Sequence, residues 1–89
     1  MSTIKFNTYI TDAEWEVMRV VWANDRVTSK KVISVLQEKM DWTQSTIKTI
    51  LGRLVGKGVL NTEYEGRKFI YTANIEETEA VRDYSESYF

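Results

Sequence analysis

The chain has 89 residues, a formal net charge of −1, and no cysteine, histidine or proline. That length holds one small domain. Without Cys or His there are no disulfides and no ordinary zinc sites, and the commonest nucleophile and general base are missing, so neither a catalytic site nor a metal site is expected. Residues 1–9 read as a short arm, poorly ordered unless it docks. The opening MSTIKFNTYI lacks the charged start, long apolar run and cleavage site of a signal peptide, and no stretch is apolar enough to span a bilayer, so a soluble cytoplasmic protein with no membrane partner is expected.

The first helix is predicted from about Thr11 to Asn24. Thr11 and Glu14 match a capping box, and Ile10 and Trp15 fit a hydrophobic staple across it. Trp15, Met18 and Trp22 recur on one face with Val21 beside them. Val27 is an isolated apolar residue in a short extended segment. Thr28 or Ser29 caps a second helix reaching about Met40, with Val32, Ile33, Leu36 and Met40 along one side. Asp41 and Trp42 break it, and Asp41 or Thr43 caps a third helix that ends at Gly58 in the left-handed position. Gly52 and Gly56 inside that helix lower its propensity, and permit either close packing or close approach of a ligand, or are small residues merely tolerated.

The third helix carries the strongest functional signal. Ile47, Ile50, Leu51, Leu54 and Val55 form one apolar stripe. The opposite face carries Gln44, Ser45, Lys48, Thr49 and Arg53, and no carboxylate occurs between Asp41 and Glu63. Short hydroxyls, an amide and long cations suit a helix lying against a polyanion with readable edges, as in a DNA major groove.

Beyond Gly58 the period changes. Residues 59–65 and 68–73 read as two strands joined by a tight Gly66-Arg67 turn. The tail from Ile75 to Phe89 reads as the start of a further helix, with Val81, Tyr84 and Tyr88 on a face that has no partner. The charge is split: residues 1–75 hold 11 Lys and Arg against 8 Asp and Glu, whereas residues 76–89 hold Arg82 against five carboxylates. The acidic tail hides a mildly basic body, and local charge is what a phosphate backbone feels, since screening acts over about 8 Å at physiological salt.

Three helices followed by a two-stranded hairpin with a basic tip make a mainly α, α+β chain with the plan of a winged helix-turn-helix, the third helix entering the groove and the second bracing it. At this point the residues carry a resemblance. Thr11 to Met18, Trp22, Thr28-Ser29, Asp41-Trp42, Ser45 to Leu54 and Lys57-Gly58, with Lys68 to Tyr71 as second wing strand, resemble the BlaI/MecI/CopY family of bacterial repressors over residues 10–75. Val27 to Lys30 and Ser45 to Thr49 look closest to its copper-responsive CopY branch.

The resemblance implies a repressor that binds inverted TACA/TGTA repeats as a homodimer and controls copper-homeostasis genes. It also implies zinc and copper(I) sites in a cysteine-rich carboxy-terminal tail. With no cysteine here, the expected organisation is an arm (1–9), a DNA-binding domain (10–75) and an acidic segment (76–89) opening a missing dimerisation region. No cofactor is expected in the fragment, which should be mostly monomeric. Met18 and Met40 read as core fillers rather than copper ligands.

By position, Ser45, Thr46, Lys48 and Thr49 are candidate base-edge contacts. Ser45 and Thr46 could instead cap the helix, and Gln44 either meets an adenine edge or faces solvent. Arg53 and Lys57 are candidate phosphate clamps, with an Arg53–Glu63 surface pair as the alternative for the former. Thr28, Ser29 and Lys30 open the second helix, where exposed amides suit a phosphate. Arg67 and Lys68 sit where a wing tip meets the backbone. Trp15 and Trp22 read as core rather than base-stacking platforms, Trp42 is left open between the two, and Tyr64, Phe69 and Tyr71 read as wing packing. The competing function is a winged helix used for protein interaction, suggested by the overall acidity and the unpartnered tail.

Overall fold

The computed structural model describes residues 9–83. In chain order it contains β1 (Tyr9–Thr11), α1 (Asp12–Asn24), β2 (Arg26–Thr28), α2 (Ser29–Met40), α3 (Gln44–Lys57), β3 (Leu60–Glu65), β4 (Lys68–Ala73), a 3-10 turn (Glu77–Glu79) and β5 (Val81–Asp83). The rest of the arm, and Tyr84 and Tyr88 of the expected tail face, lie outside the described residues. No described helix is long and apolar enough to cross a membrane.

Each helix starts where a threonine satisfies an orphan amide. Thr11 Oγ1 accepts from Glu14 N–H at 3.2 Å while Glu14 Oε1 accepts from Thr11 N–H at 3.1 Å, so the expected capping box is present. Thr28 Oγ1 accepts from Lys31 N–H and Thr43 Oγ1 from Thr46 N–H, both at 3.1 Å. Such caps contribute about 1 kcal/mol each. At the end of α3, Gly58 takes φ +84° and donates to Val55 at 3.0 Å, and Val59 donates to Leu54 at 3.3 Å. These two bonds form a Schellman motif, and the buried Leu54 and Val59 complete its apolar contact.

The helices pack around one core. Val17, Met18 and Val21 of α1, Val32 and Leu36 of α2, and Ile47, Leu51 and Leu54 of α3 are all at most 1% exposed. Truncating one of these leucines to alanine costs about 2–5 kcal/mol through lost transfer energy and the cavity left behind. Trp15, Trp22 and Trp42 are half-buried against the same cluster. Trp15 meets Trp22 edge-on, centroids 5.4 Å apart, and Trp22 Nε1 donates to Ile75 O at 3.0 Å. Trp15 and Trp22 thus serve packing, and Trp42 rests partly buried on the same core.

β3 and β4 form the expected antiparallel hairpin, with Leu60 opposite Ala73 and Glu65 opposite Lys68. Gly66 and Arg67 both have positive φ, +53° and +75°, as a two-residue type I′ turn requires. The hairpin is not alone. β2 pairs antiparallel with β4, Val27 opposite Tyr71, so the sheet has the order β2-β4-β3 and is tied into the connection between α1 and α2.

The tail differs from expectation. Over 77–83 it is not an α-helix but a single 3-10 turn followed by β5, which runs parallel to β1 with Tyr9 opposite Val81. Glu79 Oε1 accepts from Glu76 N–H at 2.9 Å and closes the turn after three residues, and the backbone leaves it extended at Ala80. Tyr9, counted with the arm, is part of that paired strand.

Candidate nucleic-acid interface

The apolar stripe of α3 is buried, and this fixes what its other face can present. With Ile47, Ile50, Leu51 and Leu54 turned inward, Gln44, Ser45, Lys48 and Thr49 are exposed. These four line one shallow surface depression, without a carboxylate among them. The depression offers one amide, two hydroxyls and one ammonium within two helical turns, a set of donors and acceptors suited to base edges and phosphate oxygens.

Thr43, not Ser45 or Thr46, is the cap of α3. This separates two residues that the sequence left together. Ser45 belongs to the depression. Thr46 does not line it, and its Oγ1 accepts from the Thr43 hydroxyl at 3.0 Å, which ties it to the cap.

A second group forms beside the hairpin. Thr28, Ser29 and Lys30 at the start of α2 and Arg67 and Lys68 at the wing tip, distant in sequence, line one cavity of about 310 Å³ together with Phe69. Lys30, Arg67 and Lys68 are exposed there. The Thr28 hydroxyl is already engaged as the α2 cap.

Arg53 and Lys57 line neither group, and both are engaged within the protein. Both meet Glu14, whose side chain is only 1% exposed: Lys57 Nζ stands 2.5 Å from Oε1 and Arg53 Nε 3.4 Å from Oε2. The carboxylate that closes the capping box of α1 thus also holds the carboxy-terminal half of α3. Arg53 does not pair with Glu63. Its side chain is 53% exposed, with its Nε toward Glu14. Gly52 and Gly56 are not close-packing positions, since a Cβ added at either would meet nothing within 4 Å.

Two features of the wing were not legible as site features. Arg26 of β2 reaches across to Glu65 at 3.2 Å and to Glu63 at 3.4 Å, an exposed clasp that occupies both wing carboxylates. The hydrogen bond that Arg26 donates to Glu65, reinforced by the charges of Glu65 and Glu63, raises the pKa of its guanidinium above the ordinary value. Tyr64 and Phe69, read as wing packing, are 65% and 50% exposed and pack chiefly on each other, centroids 4.8 Å apart. Tyr71, on the same hairpin face but nearer the helices, is half-buried against the core as expected.

The chain resembles known proteins in both sequence and fold. The sequence profile of the penicillinase repressor family matches residues 10–89. An uncharacterised 16.5 kDa protein of Latilactobacillus sakei, named for its position 3′ of ptsI, is 55% identical over 80 residues, which are 90% of this chain and 55% of that protein. The penicillinase repressor of Bacillus licheniformis is 43% identical over 79 residues, 89% of this chain and 62% of that protein. The chain therefore spans 55–62% of the length of these curated relatives.

Among solved structures, the DNA-binding domain of the repressor BlaI superposes with a TM-score of 0.79 at 42% identity, covering 88% of this chain and 95% of that one. Monomeric Bacillus licheniformis BlaI in complex with the blaP half-operator gives 0.74 at 43% identity, covering 86% and 93%. A CopR repressor gives 0.63 at 35% identity, covering 84% and 100%.

Proposed function

The chain belongs to the penicillinase repressor family, and from that premise we propose that it reads one half of an inverted-repeat operator of TACA/TGTA type with the exposed face of α3. It is a repressor DNA-binding domain of the BlaI type and not an enzyme. The observation that carries the operator reading is the carboxylate-free depression of Gln44, Ser45, Lys48 and Thr49, held outward by the burial of Ile47, Ile50, Leu51 and Leu54. Lys48 donates to guanine acceptors, Gln44 to an adenine edge, and the Thr49 methyl meets a thymine methyl. Lys30, Arg67 and Lys68 neutralise phosphates and set the register of the domain on the duplex.

A relative of similar sequence binds a half-operator as a monomer, which supports half-site reading by a single copy of this domain. Two copies joined through a carboxy-terminal region would bind the full repeat with the gain of effective concentration, so the whole repressor acts as a homodimer in the cytoplasm. Within this function we place the regulated genes in copper homeostasis. The resemblance of Val27 to Lys30 and of Ser45 to Thr49 to the copper-responsive branch supports that placement. Any zinc or copper(I) site would lie outside these cysteine-free residues, in the region that dimerises. The 43% identity to a penicillinase repressor favours the second reading, a β-lactam resistance operator.

Fluorescence anisotropy at two salt concentrations tests the assignment, with duplexes carrying a copper-export operator, a β-lactamase operator and a scrambled sequence. The repeat should bind more tightly than the scramble, and Lys48→Ala should cost roughly 1–3 kcal/mol on the repeat with a smaller loss on the scramble. Equal binding of repeat and scramble, or an unaffected Lys48→Ala variant, would remove α3 as the reading surface. Preference for the β-lactamase operator would select the second reading.

A further inference from the structure

We propose that the Tyr64–Phe69 pair is a second, apolar contact to DNA, seating the deoxyribose face of the backbone that flanks the bases read by α3. This rests on the operator-binding reading above. Tyr64 and Phe69 are the large hydrophobic side chains left exposed among the described residues, and they stand side by side at the end of the hairpin. Cross-strand packing accounts for their contact with each other but not for leaving 65% and 50% of them in water.

Their surroundings select the partner. Phe69 lines the cavity that also holds Lys30, Arg67 and Lys68, so an apolar ring borders three cations. The two carboxylates of the same hairpin, Glu63 and Glu65, are clasped by Arg26. The tip therefore presents aromatic surface and three cations, while Arg26 offsets one of its two negative charges. A polyanion that alternates phosphates with apolar sugar faces is complementary to that surface. An acidic peptide would satisfy the cations, but it supplies no regular apolar face at the spacing of the phosphates.

An apolar contact and a phosphate contact are separable by salt. Each lost phosphate contact lowers the salt slope on duplex DNA by about 0.9, whereas lost apolar burial releases no counterions and leaves the slope unchanged. The experiment compares wild type, Phe69→Ala, Phe69→Trp and Lys48→Ala on a half-operator with about six flanking base pairs and on the same half-operator trimmed of them.

Phe69→Ala should bind the flanked duplex roughly tenfold more weakly with an unchanged salt slope, and the trimmed duplex as wild type does. Phe69→Trp should restore binding, and thermal unfolding should show both variants folded. Wild-type affinity of Phe69→Ala on the flanked duplex, with Lys48→Ala still impaired, overturns the aromatic contact and leaves the operator reading standing. Failure of the wild type to distinguish either duplex from a scramble removes both. A loss in Phe69→Ala that is equal on the trimmed duplex assigns the ring to wing stability and overturns the proposal as well.

Discussion

Glu14→Gln is the substitution that tests the frame holding α3. In the native protein Oε1 accepts from Thr11 N–H at 3.1 Å and meets Lys57 Nζ at 2.5 Å, while Oε2 faces Arg53 Nε at 3.4 Å. Glutamine keeps an acceptor for the capping box but removes the charge, and its amide NH₂ must point toward one of two cations. Removing one partner of a buried ion pair typically costs about 3–5 kcal/mol because the other is left desolvated. Here Lys57 is 22% and Arg53 53% exposed, so both regain water and the cost falls toward about 2 kcal/mol.

For a domain of this size that is a drop in Tm of roughly 10 °C. Glu14→Ala should lose about 1 kcal/mol more with the cap. Urea unfolding followed by tryptophan fluorescence reads both, since Trp15 and Trp22 are half-buried against the core. The slope with denaturant should be unchanged. A Glu14→Gln loss below about 0.5 kcal/mol, or a coupling below that value in the double-mutant cycle with Lys57→Met, would refute the view that this carboxylate anchors α3.

Other substitutions address the wing. Arg26→Ala frees Glu63 and Glu65, so DNA binding should weaken at low salt and converge on wild type as screening rises; a salt-independent loss, or none, in the same anisotropy titration argues against the clasp. Arg67→Gly relieves a side-chain-bearing residue from positive φ and should raise stability by about 1 kcal/mol while flattening the salt slope by about 0.9, so that a more stable domain binds DNA less well. Thermal unfolding and anisotropy on one preparation check the two signs, and a variant that moves both the same way contradicts the assignment.

What was legible in the sequence was whatever is decided within a few residues. Thr11 with Glu14, and Gly58 after Lys57, fix helix ends by bonds spanning three to five residues, and the apolar stripe of α3 fixes which face is outward by its own period. The pairings that escaped notice are long-range or very short. β2, β1 and β5 have three residues each, too few to display alternation, and Val81 to Tyr88 carries helical spacing although 81–83 is extended. Glu14 finds Lys57 across 43 positions, a partner no local rule supplies.

Tyr64 and Phe69 pack on each other in the wing, and their exposure was not legible for a geometrical reason. They share a hairpin face with Leu60, which is 2% exposed, so alternation correctly places them on the inner side. The hairpin runs past the helices, however, and at its tip the inner side has no core beneath it. On the exposed face of α3, chemistry picked out Gln44, Ser45, Lys48 and Thr49, but the division of Ser45 from Thr46 needed the identity of the cap.

The parallel pairing of β1 with β5 has a mechanical meaning. Because the strands point the same way, the chain entering at Tyr9 and the chain leaving at Asp83 depart from opposite ends of one short ladder. Tension between them pulls the strands lengthwise past each other and strains all the rungs at once, where an antiparallel pair would unzip one rung at a time. β1 runs directly into Thr11, the cap of α1, and Thr11 is bonded to the carboxylate that holds Lys57 of α3. A load on residues beyond 83 thereby reaches α1, and through the shared core and the Glu14 carboxylate it reaches α3.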